Sequence, residues 1–324
     1  MFKIINPKKT IRFMSFAKLA TSLAMALVIA SFVIVGVKGL NFGLDFTGGV
    51  TLEVEYPNDI ELKDVRSKIE SLKIDSPVVQ HFGSSKIAMI RIKPVEGMDQ
   101  KVLSTRIFDS VKTLQDGAVL NRVEYVGPSV GSDLVESGII SVFVSLLCIL
   151  AYVAFRFEWR MATGAVVALV HDTIITLAVF SLFDLEFDLT VLAAVLTIIG
   201  YSLNDTIVVF DRIREKARLL RDKSIPEIIN VSITETLSRT VITSGTTMFT
   251  VLALLFLGGP MIFGFSFALA VGIIVGTFSS IYVASSLAYF LGKMINDNST
   301  FLIIIVVISF KFQVLSSRSA SLAS

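Results

Sequence analysis

Two acidic residues lie within long apolar stretches of this sequence, where a charge is costly. Asp205 directly follows Asn204, and Asp172 lies beside His171 near the middle of an earlier apolar stretch. An ionisable group at the centre of a bilayer costs at least ~2.5–3.5 kcal/mol on insertion scales, so such residues usually serve a function. We therefore take Asp205, Asn204 and Asp172 as candidate members of a proton pathway.

A cation and a row of hydroxyls accompany a later apolar stretch. Arg239 stands at its start, and Thr243, Thr246 and Thr250 follow at i+4, i+7 and i+11, which places them on one face of a helix. Apolar surroundings favour a protonated carboxyl group and a nearby cation favours release of the proton, so movement of Arg239 relative to Asp205 would load or release a proton. Two simpler interpretations stay open: a static buried ion pair, or an arginine side chain that extends to the membrane interface.

The chain that must position these residues has the composition of a membrane protein. Only 17% of its 324 residues are charged, 53% are hydrophobic, and the mean hydropathy is +0.77. A soluble globule has about 25% charged residues and could not bury this much apolar surface. These values exclude a soluble enzyme and a disordered chain. The single cysteine, Cys148, also excludes a disulfide framework within the chain.

Six apolar stretches are long enough to cross the membrane, because about 20 helical residues span the ~30 Å hydrocarbon layer. Each must be a helix, since an open strand in lipid would leave backbone groups unpaired. The predicted fold class is therefore a polytopic α-helical membrane protein with six transmembrane helices. The predicted spans are Leu19–Val37, Gly138–Phe155, Met161–Phe183, Leu189–Phe210, Val241–Leu257 and Ile262–Leu291.

The first apolar stretch follows a basic N-terminus, residues 1–18, an arrangement that also fits a secretory signal peptide. Its apolar part is longer than the usual ~7–15 residue signal core, and no clear small-x-small cleavage site follows it. We interpret residues 19–37 as an uncleaved membrane anchor.

The charges of the loops predict the orientation, because short cytoplasmic loops collect Lys and Arg. The N-terminus, Arg156–Arg160 and the connection after the fourth span are basic, whereas Asp184–Asp188 is acidic and Gly258–Met261 is uncharged. Basic and non-basic loops alternate along the chain. Both termini are therefore predicted to be cytoplasmic, and residues 38–135 are predicted to lie on the periplasmic side.

The connection between the fourth and fifth spans, residues 212–238, mixes basic residues with leucines and isoleucines. This pattern predicts an amphipathic helix, or a pair of helices, lying along the cytoplasmic surface. The sequence contains no phosphate-binding loop with its lysine, so we do not expect the chain itself to use ATP.

The outer segment of about 80 residues has the pattern of a small α+β domain. Three of its apolar stretches are short and strand-like, one alternates strictly, and two carry apolar residues at helical spacing. The order βαββαβ is that of a ferredoxin-like domain. It contains no convincing metal-ligating cluster, so we expect it to make contacts rather than perform chemistry. The predicted elements are Val50–Tyr56, Leu62–Leu72, Val78–Phe82, Lys86–Ile92, Leu103–Leu114 and Val119–Val126.

Small residues recur at every fourth position in the sixth predicted span, from Gly264 to Ala288. Gly272 and Gly276 form the small-x3-small pair that lets two helices approach closely. We expect these two glycines to serve helix packing, either within the chain or with a partner.

A G-x-S-x-G match at Gly127–Gly131 resembles the nucleophile motif of hydrolases. A catalytic triad needs a histidine, and the two in the chain, His81 and His171, are predicted in the outer domain and at membrane depth. We expect no catalytic residue and interpret the match as a turn between the last outer strand and the second span.

Three long motifs resemble a known family. Asn41–Gly49 reads NFGLDFTGG just outside the first span, Gly200–Glu215 reads GYSLNDTIVVFDRIRE, and Ser238–Thr240 precedes the threonine-rich fifth span. With Val126–Pro128 between them, these motifs resemble the SecF branch of the SecD/SecF family of bacterial protein-export membrane subunits. The resemblance covers the chain from the N-terminus to about Leu291.

The resemblance implies an RND-like bundle in the bacterial inner membrane that pairs with a SecD-like subunit and associates with the SecY, SecE and SecG channel. It implies use of the proton gradient, with no other cofactor, to help draw unfolded preproteins outward, and it implies neither an enzyme nor a nucleic-acid partner. By resemblance, Asp205 corresponds to the proton-carrying acid, and Arg239 and Thr243 correspond to its partners on the fifth span. The family signature at the base of the outer domain comprises Phe42, Gly43, Asp45, Phe46, Gly48 and Gly49.

The C-terminal tail, residues 293–324, departs from the family pattern. An apolar segment at 301–310 and a serine-rich end stand where a short basic tail is expected. Ten apolar residues are too few to span a membrane. We assign this tail no function.

Two other classes of function compete with protein export. An RND-type exporter of small molecules or lipids needs a ligand-sized apolar pocket, for which one outer domain of ~80 residues offers little room. A scaffold that only stabilises a larger complex would need the glycine stripe but not the titrating group of Asp205.

Overall fold

A computed structural model of the protein describes residues 10–74, 77–95 and 97–296. The apolar segment 301–310 and nearly all of the predicted tail lie outside these described residues, as do residues 1–9 of the basic N-terminus. Within the described part, six helices are long and apolar enough to cross a membrane. The predicted fold class, a polytopic helical membrane protein with six spans, is confirmed.

Helices α1–α10 and strands β1–β6 are numbered here in chain order. The sixth span is continuous but changes its winding midway, which the sequence pattern did not predict. The first five spans are α1 (Ala17–Lys38), α5 (Pro128–Arg156), α6 (Trp159–Leu182), α7 (Leu189–Leu219) and α8 (Ile225–Leu257). The sixth consists of α9 (Pro260–Phe278), a π-helical turn (Ser279–Ala284) and α10 (Ser285–Asn296).

The segment 212–238, predicted as an amphipathic helix on the cytoplasmic surface, is not a separate element. Its two halves continue α7 and α8, and only a short turn at 220–224 joins them. Ion pairs hold these extensions together: Glu235 accepts from Arg212 and lies 2.8 Å from Lys216 Nζ. A capping box of Ser224 with Glu227 begins α8. Of the apolar residues of the segment, Ile228, Ile229 and Ile233 are buried within the protein, whereas Leu219 and Ile225 are exposed.

The second span also begins earlier than predicted. Helix α5 starts at Pro128, directly after the last outer strand, because proline at the first helical position needs no backbone donor. The G-x-S-x-G match is thus the strand-to-helix junction. A Cβ added to Gly131 would lie 2.5 Å from the carbonyl oxygen of Phe46, so close backbone packing accounts for this glycine.

The outer domain has the predicted order βαββαβ and folds as a ferredoxin-like unit. Its four antiparallel strands are arranged β3-β4-β2-β5. Alternate residues of β2, among them Val50, Leu52 and Val54, are fully buried beneath the two helices. The elements are β2 (Gly49–Glu55), α3 (Leu62–Glu70), β3 (Val78–Phe82), β4 (Ser84–Ile92), α4 (Gln100–Val111) and β5 (Val119–Val126).

Three short elements join the outer domain to the bundle. The family-signature segment forms β1 (Asn41–Phe42) and a single helical turn, α2 (Leu44–Thr47). Strand β6 (Glu186–Phe187) lies between α6 and α7 and pairs in parallel with β1. The connection between the third and fourth spans is thereby fixed to the base of the outer domain.

Helices α6, α7 and α9 form the centre of the bundle. Of the residues in the most apolar stretch of each helix, 56% are buried in α6 and 44% in α7, compared with 11% in α5 and 17% in α8. Buried polar side chains lie on α6, α7, α8 and the sixth span, among them Asp172, Asp205, Ser244 and Ser279. The exposed faces of α5 and α8 are available to lipid or to a partner.

The glycines of α9 pack against α7. A Cβ added to Gly272 would lie 2.3 Å from Ile198 Cγ1, and one added to Gly276 would lie 3.2 Å from Ser202 Cβ. At the end of the π-helical turn the sixth span contacts α6 instead: Gly164 of α6 faces the backbone of Ala284. The small-residue stripe thus brings the sixth span against α7 in its first half and against α6 in its second.

Replacing Gly272 with alanine should destabilise the bundle, because the new methyl group overlaps Ile198. We expect the free energy of unfolding to fall by about 1–3 kcal/mol, the usual cost of overpacking. The midpoint of thermal unfolding of the purified protein measures it. Gly245→Ala on α8 is the matched control, since an added Cβ there meets no atom within 4 Å. Equal midpoints for the two variants would contradict this packing, and Ile198→Ala should partly rescue Gly272→Ala.

Candidate proton-transfer site

Asp205 lies inside the bundle on α7 with little hydrogen bonding. Its side chain is 4% exposed. One oxygen, Oδ2, lies 3.5 Å from the hydroxyl of Ser244 on α8, at the outer limit of a hydrogen bond. A buried carboxylate needs partners for its charge or a proton to neutralise it. The sparse surroundings of Asp205 therefore suit a group that exchanges a proton.

Arg239 is not in direct contact with Asp205. Its charge is near enough to act on the carboxylate electrostatically. Among the described residues, however, no ion pair within 4.0 Å joins the two. Arg239 lies on the exposed face of α8. The static buried ion pair of Asp205 with Arg239, one of the two simpler interpretations of the sequence, is therefore not present in this structure.

The predicted row of threonines is also turned away from Asp205. Thr246 and Thr250 are exposed, and Thr243 is half-buried. Each of their hydroxyls donates to a carbonyl of the same helix: Thr243 to Arg239 at 3.0 Å, and Thr246 to Ile242 at 2.9 Å. The hydroxyl oxygens of Thr246 and Thr250, which can still accept hydrogen bonds, belong to exposed residues of α8.

Ser244 and Thr277, which the sequence analysis missed, stand where the threonine row was expected. The hydroxyl of Thr277 on α9 donates to Ser244 at 3.0 Å, and Ser244 in turn reaches Asp205. Ser244 directly follows Thr243 in the chain. The observed contact is made by the residue next to Thr243, which lies about 100° around α8 from the predicted row.

Asn204 does not join this group. It is exposed on α7, and in the part of the chain that the structure describes its side chain makes no hydrogen bond. Tyr201, one turn before Asp205, donates to Thr247 of α8 at 3.4 Å. The contacts between α7 and α8 near the acid are thus made by hydroxyl groups.

Asp172, by contrast, is the centre of a dense hydrogen-bond network. It is 1% exposed. Its Oδ2 accepts from Ser202 of α7 at 2.6 Å and from Ser279 of the π-helical turn at 2.7 Å, and its Oδ1 lies 2.9 Å from His171 Nδ1. Three partners from three elements satisfy this carboxylate. The arrangement joins α6, α7 and the sixth span.

The π-helical turn is explained by this network. A π turn holds one more residue than an α turn and commonly lies at functional sites. Here its first residue, Ser279, is fully buried and points at Asp172, and Gly276 one turn earlier leaves room for the carboxylate, whose Oδ2 would lie 3.5 Å from an added Cβ. The change in winding of the sixth span thus coincides with the place where it binds Asp172.

The network leaves one polar atom unused. His171 is 3% exposed, and within residues 10–296, as far as they are described, its Nε2 has no hydrogen-bond partner. In the described part of the chain, no three His, Cys, Asp or Glu side chains lie close enough together to hold a metal ion. Asp205 and Asp172 are therefore the buried acids that define the site.

The family-signature residues lie at the outer end of α7. Phe42, Phe46 and Phe187 form a cluster of aromatic contacts, with Phe46 stacked on Phe187 at 5.9 Å between ring centroids. Gly43 leaves space for Glu186, whose Oε1 would lie 2.9 Å from an added Cβ. Asp45 accepts a hydrogen bond from the backbone of α7. The signature thus fixes the start of the helix that carries Asp205.

Comparison with known proteins identifies the relatives of this chain. Residues 106–294 match the family profile described as protein export membrane protein SecD/SecF, C-terminal, and residues 33–56 match that of the SecD/SecF GG motif. Protein translocase subunit SecF of Vibrio alginolyticus is 50% identical over 293 residues, covering 90% of this chain and 93% of the relative. The subunit of the same name from Escherichia coli O157:H7 is 47% identical, covering 88% and 89%.

Two solved structures share the fold. A crystal structure of SecDF from Thermus thermophilus, described as a translocon-associated membrane protein, superposes with a TM-score of 0.77 at 37% identity over 90% of this chain. SecDF in a super-membrane-facing form gives 0.71 at 36% identity over 92% of this chain. This chain spans 40% of the length of each of those structures.

Removing the hydroxyl of Ser279 should destabilise the bundle, since it leaves Asp172 with one partner fewer. We expect Ser279→Ala to lower the free energy of unfolding by about 1–2 kcal/mol, seen as a lower midpoint of thermal unfolding. Ser266→Ala is the matched control: Ser266 is also fully buried in the sixth span, but within the described residues its hydroxyl has no partner. A loss in Ser266→Ala as large as in Ser279→Ala would show that the network contributes nothing specific.

Proposed function

The chain belongs to the SecD/SecF family of protein-export membrane proteins, and we propose that it is a SecF subunit that couples proton movement to export. The observation that carries the proposal is Asp205, a buried acid on α7 held by a single long hydrogen bond from Ser244. Its proton would come and go as α7 and α8 shift against each other. Export, rather than a chemical reaction on a substrate, is the work that this movement performs.

The proton step follows from the contacts of Asp205. When Asp205 is charged, its nearest hydrogen-bond donor is Ser244, which Thr277 supports from α9. A proton from the periplasmic side neutralises the acid and weakens its attraction to the Arg239 charge. The return of Arg239 toward the acid then favours release to the cytoplasm. Asp172 takes part as a fixed charge that holds α6, α7 and the π-helical turn in register during these shifts.

The exposed face of α8 fits a SecD-like partner bundle. Arg239 and the oxygens of Thr243, Thr246 and Thr250 lie on this face, and only 17% of the most apolar stretch of α8 is buried. A charged group that faces lipid is costly, so such residues usually face protein or water. The solved SecDF chains are longer than this one, which matches 40% of their length. We place the SecD-like bundle against this face.

The remaining assignments rest on the charge pattern and on the family. The basic loops put both termini in the cytoplasm and the ferredoxin-like domain in the periplasm of a bacterial inner membrane. From there the outer domain would contact unfolded preprotein that leaves the SecY, SecE and SecG channel. The proton gradient is the only energy source that the proposal requires of this subunit.

Neutralising Asp205 tests the proton step. Asp205→Asn keeps the shape and an acceptor for Ser244 but cannot release a proton, so export in vesicles should fall to the rate measured without a proton gradient. ATP-driven entry of the preprotein should persist. Asp211→Asn is the control on the same helix, because Asp211 is half-exposed and pairs with Arg156. Proton-dependent export that survives in Asp205→Asn, at a normal protein level, would favour the scaffold alternative.

Cross-linking tests the position of the partner. In a Cys148→Ser background, a cysteine at Thr246 should form a cross-link to the copurified SecD-like subunit. A cysteine at Ile29 is the comparison, since Ile29 is also exposed but lies on α1, which packs against α6. Cross-linking from position 29 but not from 246 would place the partner elsewhere.

A further inference from the structure

Asp45 binds the first backbone amide of α7 from a different part of the chain. Its Oδ2 accepts a hydrogen bond from the amide of Leu189 at 3.0 Å. Leu189 is the first residue of α7, and the residue before it, Asp188, caps the third amide from within the same segment, at 2.8 Å from Val191 N. The start of α7 is therefore held by two carboxylates, of which one is local and the other belongs to the outer-domain junction.

The two carboxylates do different work although their chemistry is the same. Each satisfies an amide that has no partner within the helix, and each negative charge is favoured at the positive end of the helix dipole. Asp188 shares the backbone of α7, so its bond stabilises the helix alone. Asp45 sits on α2, more than 140 residues away in the chain, so its bond makes α2 follow the end of α7.

Two glycines form the tight connection between α2 and the outer sheet. Gly48 and Gly49 have φ angles of 72° and 142°, which residues other than glycine rarely adopt. A Cβ on Gly49 would also lie 2.3 Å from the carbonyl oxygen of Ile92. Directly after Gly49 the chain becomes β2, an interior strand of the outer sheet. The sheet is thus joined to the bundle at these two glycines and again where β5 continues into α5.

The β1–β6 pairing and the stacking of Phe46 on Phe187 also hold α2 at the start of α7, whereas two side-chain contacts between the sheet and this junction are weaker. Arg91 of β4 pairs with Glu186 at 3.2 Å, and both side chains are partly exposed. Lys93 donates to the side chain of Asn41 at 3.3 Å. Exposed and partly exposed ion pairs of this kind contribute little and re-form easily.

The same helix carries the proton-binding acid. Asp205 lies sixteen residues after Leu189 on α7, which corresponds to about 24 Å along the helix axis at 1.5 Å per residue. A helix is stiff over this length, so an axial shift or rotation at Asp205 reaches the amide of Leu189. The contact with Asp45 is where that motion enters the outer domain.

We propose that Asp45 is a positioning residue that couples α7 to the outer domain by holding α2 on the helix end, so that the outer sheet follows when α7 moves. This inference rests on the proposed function. It assigns to the carboxylate of the family signature the task of transmission, whereas the proton itself is bound at Asp205. Without Asp45, protons would still move, but the outer domain would no longer respond.

The first test measures the contact itself by hydrogen exchange in the complete complex with the SecD-like partner. Asp45→Ala should speed exchange of the Leu189 amide roughly 2- to 30-fold, the range that corresponds to loss of a capping bond. Asp45→Asn keeps a side-chain carbonyl acceptor and should restore most of the protection. Unchanged exchange at Leu189 in Asp45→Ala would overturn the proposal, whatever the outcome for proton transport.

The second test separates transmission from stability. In vesicles that contain the complex, Asp45→Ala should keep proton uptake within about twofold of the unaltered protein and lose most of its gradient-dependent export. Asp188→Ala removes the other carboxylate from the same helix end and should preserve the ratio of export to proton uptake. An equal fall of that ratio in both variants, or no fall in Asp45→Ala, would contradict the coupling. Absence of proton uptake in the unaltered protein would instead refute the proposed function. The exchange test would still decide whether Asp45 binds the amide of Leu189.

Discussion

A carboxylate inside an apolar bundle must be given partners, neutralised by a proton, or faced by a cation, and the organisation of this protein follows from that constraint. The structure solves the problem in two ways within one bundle. Asp172 receives hydrogen bonds from three elements, whereas Asp205 receives one long bond from Ser244. The first solution fixes a charge and joins helices. The second leaves an acid whose charge state can change.

Helix α7 connects the Asp172 network, Asp205 and the family signature. It contributes Ser202 to the Asp172 network, carries Asp205 one turn later, and begins where the family signature binds. It also packs along the glycines of α9, where Gly272 lets the two backbones approach. A change at Asp205 thus acts on a helix that packs closely against α9 and that contacts α8 through hydroxyl groups near the acid and through the ion pairs of Glu235 farther along.

Much of the architecture was predictable because it depends on local patterns. Apolar length located the six spans, and period-two and helical spacing located the outer domain. That the segment 212–238 continues α7 and α8 was not predicted, because an amphipathic pattern does not show whether a helix is separate or extends a span. Ser244, Thr277, the π-helical turn and the partner of Asp45 could not be predicted, since each depends on contacts between residues far apart in the chain.

The central claim is that Asp205 takes up and releases a proton. Infrared difference spectra of the complex, recorded as the pH is changed, measure this most directly. The account predicts a protonated-carboxyl band that appears on acidification and is absent from Asp205→Asn but retained in Asp211→Asn. A spectrum in which no such band depends on Asp205 over the pH range that supports export would contradict it.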